Sequence, residues 1–228
     1  ELQQLNVQLK KLDASKSEFV SIASHQLRTP LTAIKGYISM LMEGSYGELG
    51  AKQKKPMENV YNSNERLIRL VNDLLNISRI ESGKIAMEWQ KANMEEVIQG
   101  VIEELQIKSK EKHLKIVFEK PEPPLPSFNL DPGKIRNVLL NLLDNAIKYT
   151  GRGSITIALH AKPDSTTQNM TSALVTMKDT GQGMDANEIS HLFESFSRGS
   201  AGNTMWTEGS GLGLYIAKQF VVMHKGKI

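Results

Sequence analysis

Apolar residues in the first stretch fall at Leu2, Leu5, Leu9 and Leu12 and continue through Phe19 and Ala23, the three-four spacing of a two-stranded coiled-coil seam. A polar, glycine-rich turn from Gly44 to Gly50 interrupts the pattern. A second periodic run then passes through Met57, Val60, Asn64, Leu67, Val71 and Leu74. The pattern predicts two long antiparallel helices, the first of about 40 residues and roughly 60 Å. A helix of that length lacks a core of its own, and pairing two hairpins into a four-helix dimer buries both seams.

After Ser82-Gly83 the texture changes to short apolar runs alternating with helical patterns. The expected elements are a strand at Ile85 to Trp89, a helix from Met94 to Lys110, a strand at Leu114 to Phe118 and a proline-rich loop from Pro121 to Pro126. An amphipathic helix from Pro132 to Lys148 follows, with Ile135, Val138, Leu139 and Leu142 as its apolar face. Strands at Ser154 to His160 and Ala173 to Lys178 and a helix from Leu212 to Met223 complete the order. The polar stretch Pro163 to Thr171 reads as an exposed hairpin connection. The expected fold class is α+β, with a helical-hairpin dimerisation domain over 1–83 and an α/β-sandwich domain over 84–228.

Composition narrows the choice of chemistry. At 228 residues the chain suits one large or two modest domains, and a net charge of +3 without a basic block argues against nucleic acid. The absence of cysteine excludes disulfides and thiolate metal sites and suits a reducing compartment. The longest apolar stretch, Val138 to Ile147, is broken by Asn141, Asp144 and Asn145, so nothing here spans a bilayer and no signal peptide opens the chain. Starting inside a helical repeat and stopping at Gly226-Lys227-Ile228, the sequence reads as a piece of something longer. The expected location is cytoplasmic, with any membrane anchor in segments outside this piece.

With Leu2 at heptad position a, His25 falls at c and faces water, where an imidazole is a competent nucleophile toward phosphorus. Pro30, five residues on, removes one backbone hydrogen bond and favours a bend. By itself such a histidine is more often a solvated helix residue. The surrounding string, Phe19-Val-Ser-Ile-Ala-Ser-His25-Gln-Leu-Arg28-Thr29-Pro30-Leu-Thr-Ala-Ile34, however, closely resembles the phospho-acceptor box of sensor histidine kinases. The resemblance implies that His25 accepts the γ-phosphoryl group of ATP, with Arg28, Thr29 and Pro30 in the same motif. In that family the next residue is usually Glu or Asp, a general base; here it is Gln26, which can hold a tautomer but cannot take a proton. Thr29 resembles the threonine that orients water for dephosphorylating the partner regulator, and a plain surface residue is an equal reading.

Three further strings resemble the same family. In Asp131 to Tyr149, Asn141, Asn145 and Lys148 share one helical face. The resemblance makes Asn145 the Mg²⁺ ligand and puts Asn141 near the phosphates, Lys148 on phosphate and Tyr149 against the nucleotide. Asp179-Thr-Gly181-Gln-Gly183-Met184 follows a strand, and there the family's aspartate reads adenine, with Gly181 and Gly183 letting the backbone turn. Gly209-Ser-Gly211-Leu212-Gly213-Leu214 leads into a helix, where backbone amides at a helix start suit phosphates. Between these, Phe193, Phe196, Arg198, Gly199 and Gly202 resemble the aromatic box and lid, with Arg198 a γ-phosphate contact. Alone, each string has a plainer reading: a polar stripe, an Asp-Thr-Gly turn, a dinucleotide-like glycine box, core phenylalanines.

Together, in this order, they resemble the Bergerat ATP-binding fold shared with gyrase-type ATPases, over roughly residues 16 to 228. Those ATPases usually carry Glu where Asn141 stands, and without that base the γ-phosphoryl is kept from water. The implied function is ATP- and Mg²⁺-dependent autophosphorylation of His25 in a homodimer, with relay to an aspartate of a response-regulator receiver domain. Ser82 to Ile85 and Pro30 are the expected hinges. The competing readings are a phosphatase or docking platform weakened by Gln26, and a gyrase-like ATPase that ignores His25.

Overall fold

The computed structural model describes residues 2–163, 171–195 and 210–228, with the side chains of residues 2–14, 163 and 171 outside the described set. The chain divides into two units, Glu1–Ala86 and Met87–Ile228. Among the described residues no helix is long and apolar enough to cross a membrane.

The first unit is a helical hairpin, α1 (Leu2–Met42) and α2 (Ala51–Glu81), joined by a turn in which Gly44 and Gly47 take positive φ. Ion pairs Lys16–Glu81 and Lys35–Glu65 set the helices antiparallel. The Glu65 carboxylate, bonded to Lys35, holds that ammonium above the ordinary lysine range despite some desolvation. The seam between the helices is unusually polar: Ser17, Ser24, Asn64 and Ser78 are buried beside Ile38, Val71 and Leu75. Two of these polar groups are satisfied by backbone, Ser78 Oγ donating to the Ser17 carbonyl (3.1 Å) and Asn64 Nδ2 to that of Leu31 (2.9 Å).

Two features of α1 qualify the sequence pattern. The helix is not interrupted at Pro30: α1 runs through it, although the proline nitrogen has no hydrogen to donate to the ladder. Ser24 before Pro30 and Ile38 after it are both buried. Second, α2 does not cover the heptad seam. The positions turned to α2 are Ser17, Ser24, Leu31 and Ile38, seven apart and one step beyond the a positions, while Phe19 is 72% exposed.

In the second unit, α3 (Met94–Glu111) and α4 (Pro132–Tyr149) pack on a three-stranded sheet of order β2–β4–β5 (Lys115–Glu119, Ser154–Pro163 and Thr171–Asp179). β2 runs parallel to β4, and β5 antiparallel to it with Ile157 opposite Met177. Alternation along β4 sends Ile155, Ile157 and Leu159 into the core, where they meet Ile98, Val101 and Leu105 of α3 and Leu139, Leu143 and Ile147 of α4. Leu143, fully buried, takes the core place expected of half-buried Leu142, because the face turned inward is centred one residue later. A two-stranded sheet pairs β1 (Gln90–Ala92) with β3 (Phe128–Leu130). No strand forms at Ile85 to Trp89, because the Glu88 N–H goes to the Asp131 carboxylate (2.8 Å) and not into a ladder. β3 was not expected, nor was α5 (Ala186–His191), which the reciprocal Asp185–Glu188 capping box starts. α6 (Gly213–Met223) begins one residue after the expected point. Of the stretch expected as a hairpin connection, 164–170 lies outside the described residues.

Between α4 and β4 the chain turns through Gly153 at φ +122°, with Thr180 Oγ1 accepting from the Ser154 N–H (3.1 Å). An added Cβ at Gly153 would lie 2.1 Å from that hydroxyl oxygen.

Candidate functional site

The hairpin presents His25 in water. Its neighbour Ser24 faces α2 and is buried, so the helical turn between consecutive residues directs the imidazole outward. Gln26 and Thr29 are also exposed, and the Thr29 hydroxyl points back along the helix to the His25 carbonyl at 3.5 Å. Arg28 turns inward instead, donating to Asn72 Oδ1 on α2 (2.7 Å), which ties the α1 surface beside His25 to α2.

The second unit gathers the other predicted residues along α4 and its surroundings. Asp131 caps α4 through the Lys134 N–H (3.0 Å) and also receives Lys134 Nζ (2.6 Å). Burial pushes the Asp131 carboxyl up, but the bonds from Lys134 and the Glu88 N–H outweigh it and hold the group below the ordinary carboxylate range. Asn141 Nδ2 donates to the Asn137 carbonyl (3.1 Å), and since a carbonyl only accepts, this fixes the amide and turns Oδ1 elsewhere. That Oδ1 lies against the start of α6: a Cβ on Gly213 would come within 2.5 Å of it. Asn145 and Lys148 are half-buried on the same helical face, and Lys148 Nζ sits 4.8 Å from the centre of the Tyr149 ring. Lys112 at the end of α3 donates to the carbonyls of Ile147 and Lys148 (both 2.9 Å), closing the α4 C-terminus.

Around Gly181 three oxygens converge. A Cβ there would stand 2.7 Å from Asp179 Oδ1, 2.7 Å from the Tyr149 carbonyl and 3.2 Å from Thr150 Oγ1. The Gly181 N–H donates to Asp179 Oδ1 (2.8 Å), leaving exposed Asp179 anchored by one oxygen. Thr150 is 0% exposed, and its hydroxyl has no partner among the described residues. An orphaned buried hydroxyl beside an anchored carboxylate is the kind of polar group that a ligand or ordered water completes. Gly183 and Gly211 take positive φ, and Leu212, 1% exposed, belongs to the core and offers a ligand only its backbone. Phe193 is half-buried with Lys218 Nζ 5.8 Å over its ring. Phe196, Arg198, Gly199, Gly202 and Gly209 lie outside the described residues.

These features fit a magnesium nucleotide: amide oxygens and a lysine on one helical face, backbone exposed at glycines where a Cβ has no room, and an unsatisfied hydroxyl by the aspartate. Thr150, Thr180 and Lys112 were not singled out by sequence. Of these only Thr180 stands inside a recognised string.

Comparison with known proteins agrees. The profile of the His Kinase A (phospho-acceptor) domain matches residues 15–83, and that of the histidine kinase-, DNA gyrase B- and HSP90-like ATPase matches residues 130–228. The non-motile and phage-resistance protein of Caulobacter vibrioides is 32% identical over 222 residues, covering 96% of this chain and 26% of that protein. The sensor protein kinase WalK of Staphylococcus epidermidis is 34% identical over 223 residues, covering 96% of this chain and 34% of that protein. The crystal structure of full-length ShkA in complex with AMPPNP superposes with a TM-score of 0.70 at 27% identity, covering 90% of this chain and 40% of that one. The chain therefore belongs to the sensor histidine kinases of two-component systems. It spans about a quarter to a third of the length of these curated relatives.

Proposed function

We propose that this chain is the kinase core of a longer sensor protein, which phosphorylates His25 from ATP and passes the phosphoryl group to a receiver aspartate. The reading is supported by one combination: a water-facing imidazole in its phospho-acceptor box, and, in the same chain, a close-packed glycine cradle with an unsatisfied Thr150 hydroxyl. Asp179 reads the adenine amine, Lys148 and the amides before α6 take phosphate, and Tyr149 packs on the nucleotide. Asn145 is the protein's ligand to Mg²⁺, which supplies charge neutralisation on the phosphates. A ring nitrogen of His25 forms the N–P bond as the bond to the ADP oxygen breaks. The ring proton leaves to solvent, since Gln26 can only accept a hydrogen bond from it. Asn141, an amide where a general base would otherwise activate water, favours transfer over hydrolysis.

The exposed apolar residues Phe19, Leu27, Ile34 and Tyr37 on α1 and Val60 and Leu67 on α2 are the surface on which a second hairpin closes the four-helix dimer. Gln26 favours a second activity for the same fragment, dephosphorylation of the regulator with Thr29 orienting water. Incubation with γ-labelled ATP tests the main reading: acid-labile, base-stable label is expected on wild type and absent from His25→Gln. Equal labelling of both, or phosphate release with no label, would overturn it.

A further inference from the structure

The nucleotide reading makes α4 and α6 the two walls that must stay in register, and the structure clasps them at two points. Gly213 at the start of α6 lies on Asn141 in mid-helix, and His224 at the end of α6 lies on Asp131 at the α4 N-terminus. The clasps are ten residues apart along α4 and eleven along α6, spans of roughly 15 Å and 16 Å. The helices therefore run antiparallel with matched reach.

At the His224 clasp the chemistry of the partners dictates the state of the ring. Nε2 accepts from the Asp131 N–H at 3.0 Å, and Nδ1 lies 2.6 Å from the Phe220 carbonyl. A backbone N–H only donates and a carbonyl only accepts, so both bonds exist only in the neutral ring protonated on Nδ1. Trp89 stands edge-on to the ring at 5.1 Å between centroids. The charged groups of this network are Asp131 and Lys134 at the start of α4, Glu88 before β1 and Lys225 following the ring in the chain. Both Asp131 oxygens are already engaged, by the Lys134 N–H and by Lys134 Nζ with the Glu88 N–H. A proton added at Nε2 would set two donors, the ring N–H and the Asp131 N–H, face to face and so break this bond.

We infer that His224 is a positioning residue for the nucleotide site: as a neutral ring it holds α6 on the α4 N-terminus and so keeps the glycine-rich start of α6 on Asn141, and its protonation releases that hold. The inference rests on the nucleotide reading above and adds to it a pH dependence seated far from the ligand.

The test is titration of the whole chain with a fluorescent ATP analogue and Mg²⁺ at pH 8 and pH 5.5, in wild type, His224→Gln and His224→Phe, with circular dichroism as the folding control. Wild type is expected to lose about tenfold more affinity on acidification than His224→Gln, the weight of one forfeited hydrogen bond. The γ-phosphate's own titration is common to both proteins and cancels. His224→Phe keeps the ring against Trp89 without either bond, and is expected to bind weakly at both pH values. Equal pH ratios in wild type and His224→Gln would overturn the inference, as would wild-type affinity in a folded His224→Phe. If the Phe variant does not fold, the comparison with Gln decides alone. Absence of binding by wild type at pH 8 would overturn the nucleotide reading itself, and the inference with it.

Discussion

The two units of this chain prepare their reactive groups in opposite ways. In the hairpin, His25 is available because it is exposed on α1, and the seam behind it is held by serine and asparagine bonds to backbone. In the α/β unit the polar groups are available because everything else is packed: an apolar core drives α4 onto the sheet, and glycines at 181 and 213 admit oxygens within 2.7 Å of where a Cβ would be. Exposure makes a site tolerant of its surroundings, whereas close approach makes it dependent on single atoms.

That contrast is broken most sharply at Gly181. Alanine there drives a methyl into the Tyr149 carbonyl and Asp179 Oδ1, and nucleotide affinity should fall about ten- to a hundredfold in an equilibrium titration. Affinity within twofold of wild type would show that the cradle is looser than these distances. In the hairpin the corresponding change adds chemistry without disturbing packing. Gln26→Glu supplies the missing base and should raise the rate of phosphohistidine formation about tenfold, with the melting temperature unchanged. An unchanged or lower rate would refute a role for the base.

Asp131 separates the units by pH. Its folded-state carboxyl is held below the usual range, so its stabilisation is present above the unfolded value of about 4 and lost as pH falls through the folded one. Asp131→Asn should destabilise the α/β unit by about 2 kcal/mol at pH 7, and the gap to wild type should close in acid denaturation below about pH 4. A gap constant with pH would contradict the ionic account. The smallest effect concerns Lys225, which follows α6 in the left-handed region at φ +58° while the Gly226 N–H returns to the Val221 carbonyl (2.9 Å). Lys225→Gly should stabilise the unit by about 1 kcal/mol, read by chemical denaturation.

Lys225 also shows what sequence reading could and could not reach. Nothing in a lysine's identity announces a left-handed backbone, and only the angle of φ +58° shows it. The long periodic elements and the four strings were legible, because helical spacing and local motifs are properties of short windows. The missed elements answer to contacts distant in sequence. Ile85 to Trp89 alternates like a strand, yet its backbone is claimed by Asp131, and β3 exists only because β1 pairs with it. His25 is exposed, as its heptad position predicts, and the face that meets α2 lies one position beyond the a positions. The Asp185–Glu188 capping box before α5 is by contrast a local signal, carried by residues three apart. No signal in one sequence marks Thr150 as orphaned, since that follows from how α4 and the Asp179 loop enclose it.

The turn before β4 binds two distant choices of residue into one. Gly153 is confined by its left-handed backbone and by the Thr180 hydroxyl that would meet any side chain there, and the same hydroxyl accepts from the strand's first amide. Glycine at the hairpin's root and threonine two strands' length away in the chain therefore form one sterically linked pair, in which a side chain at 153 has no room while the Thr180 hydroxyl stands where it does.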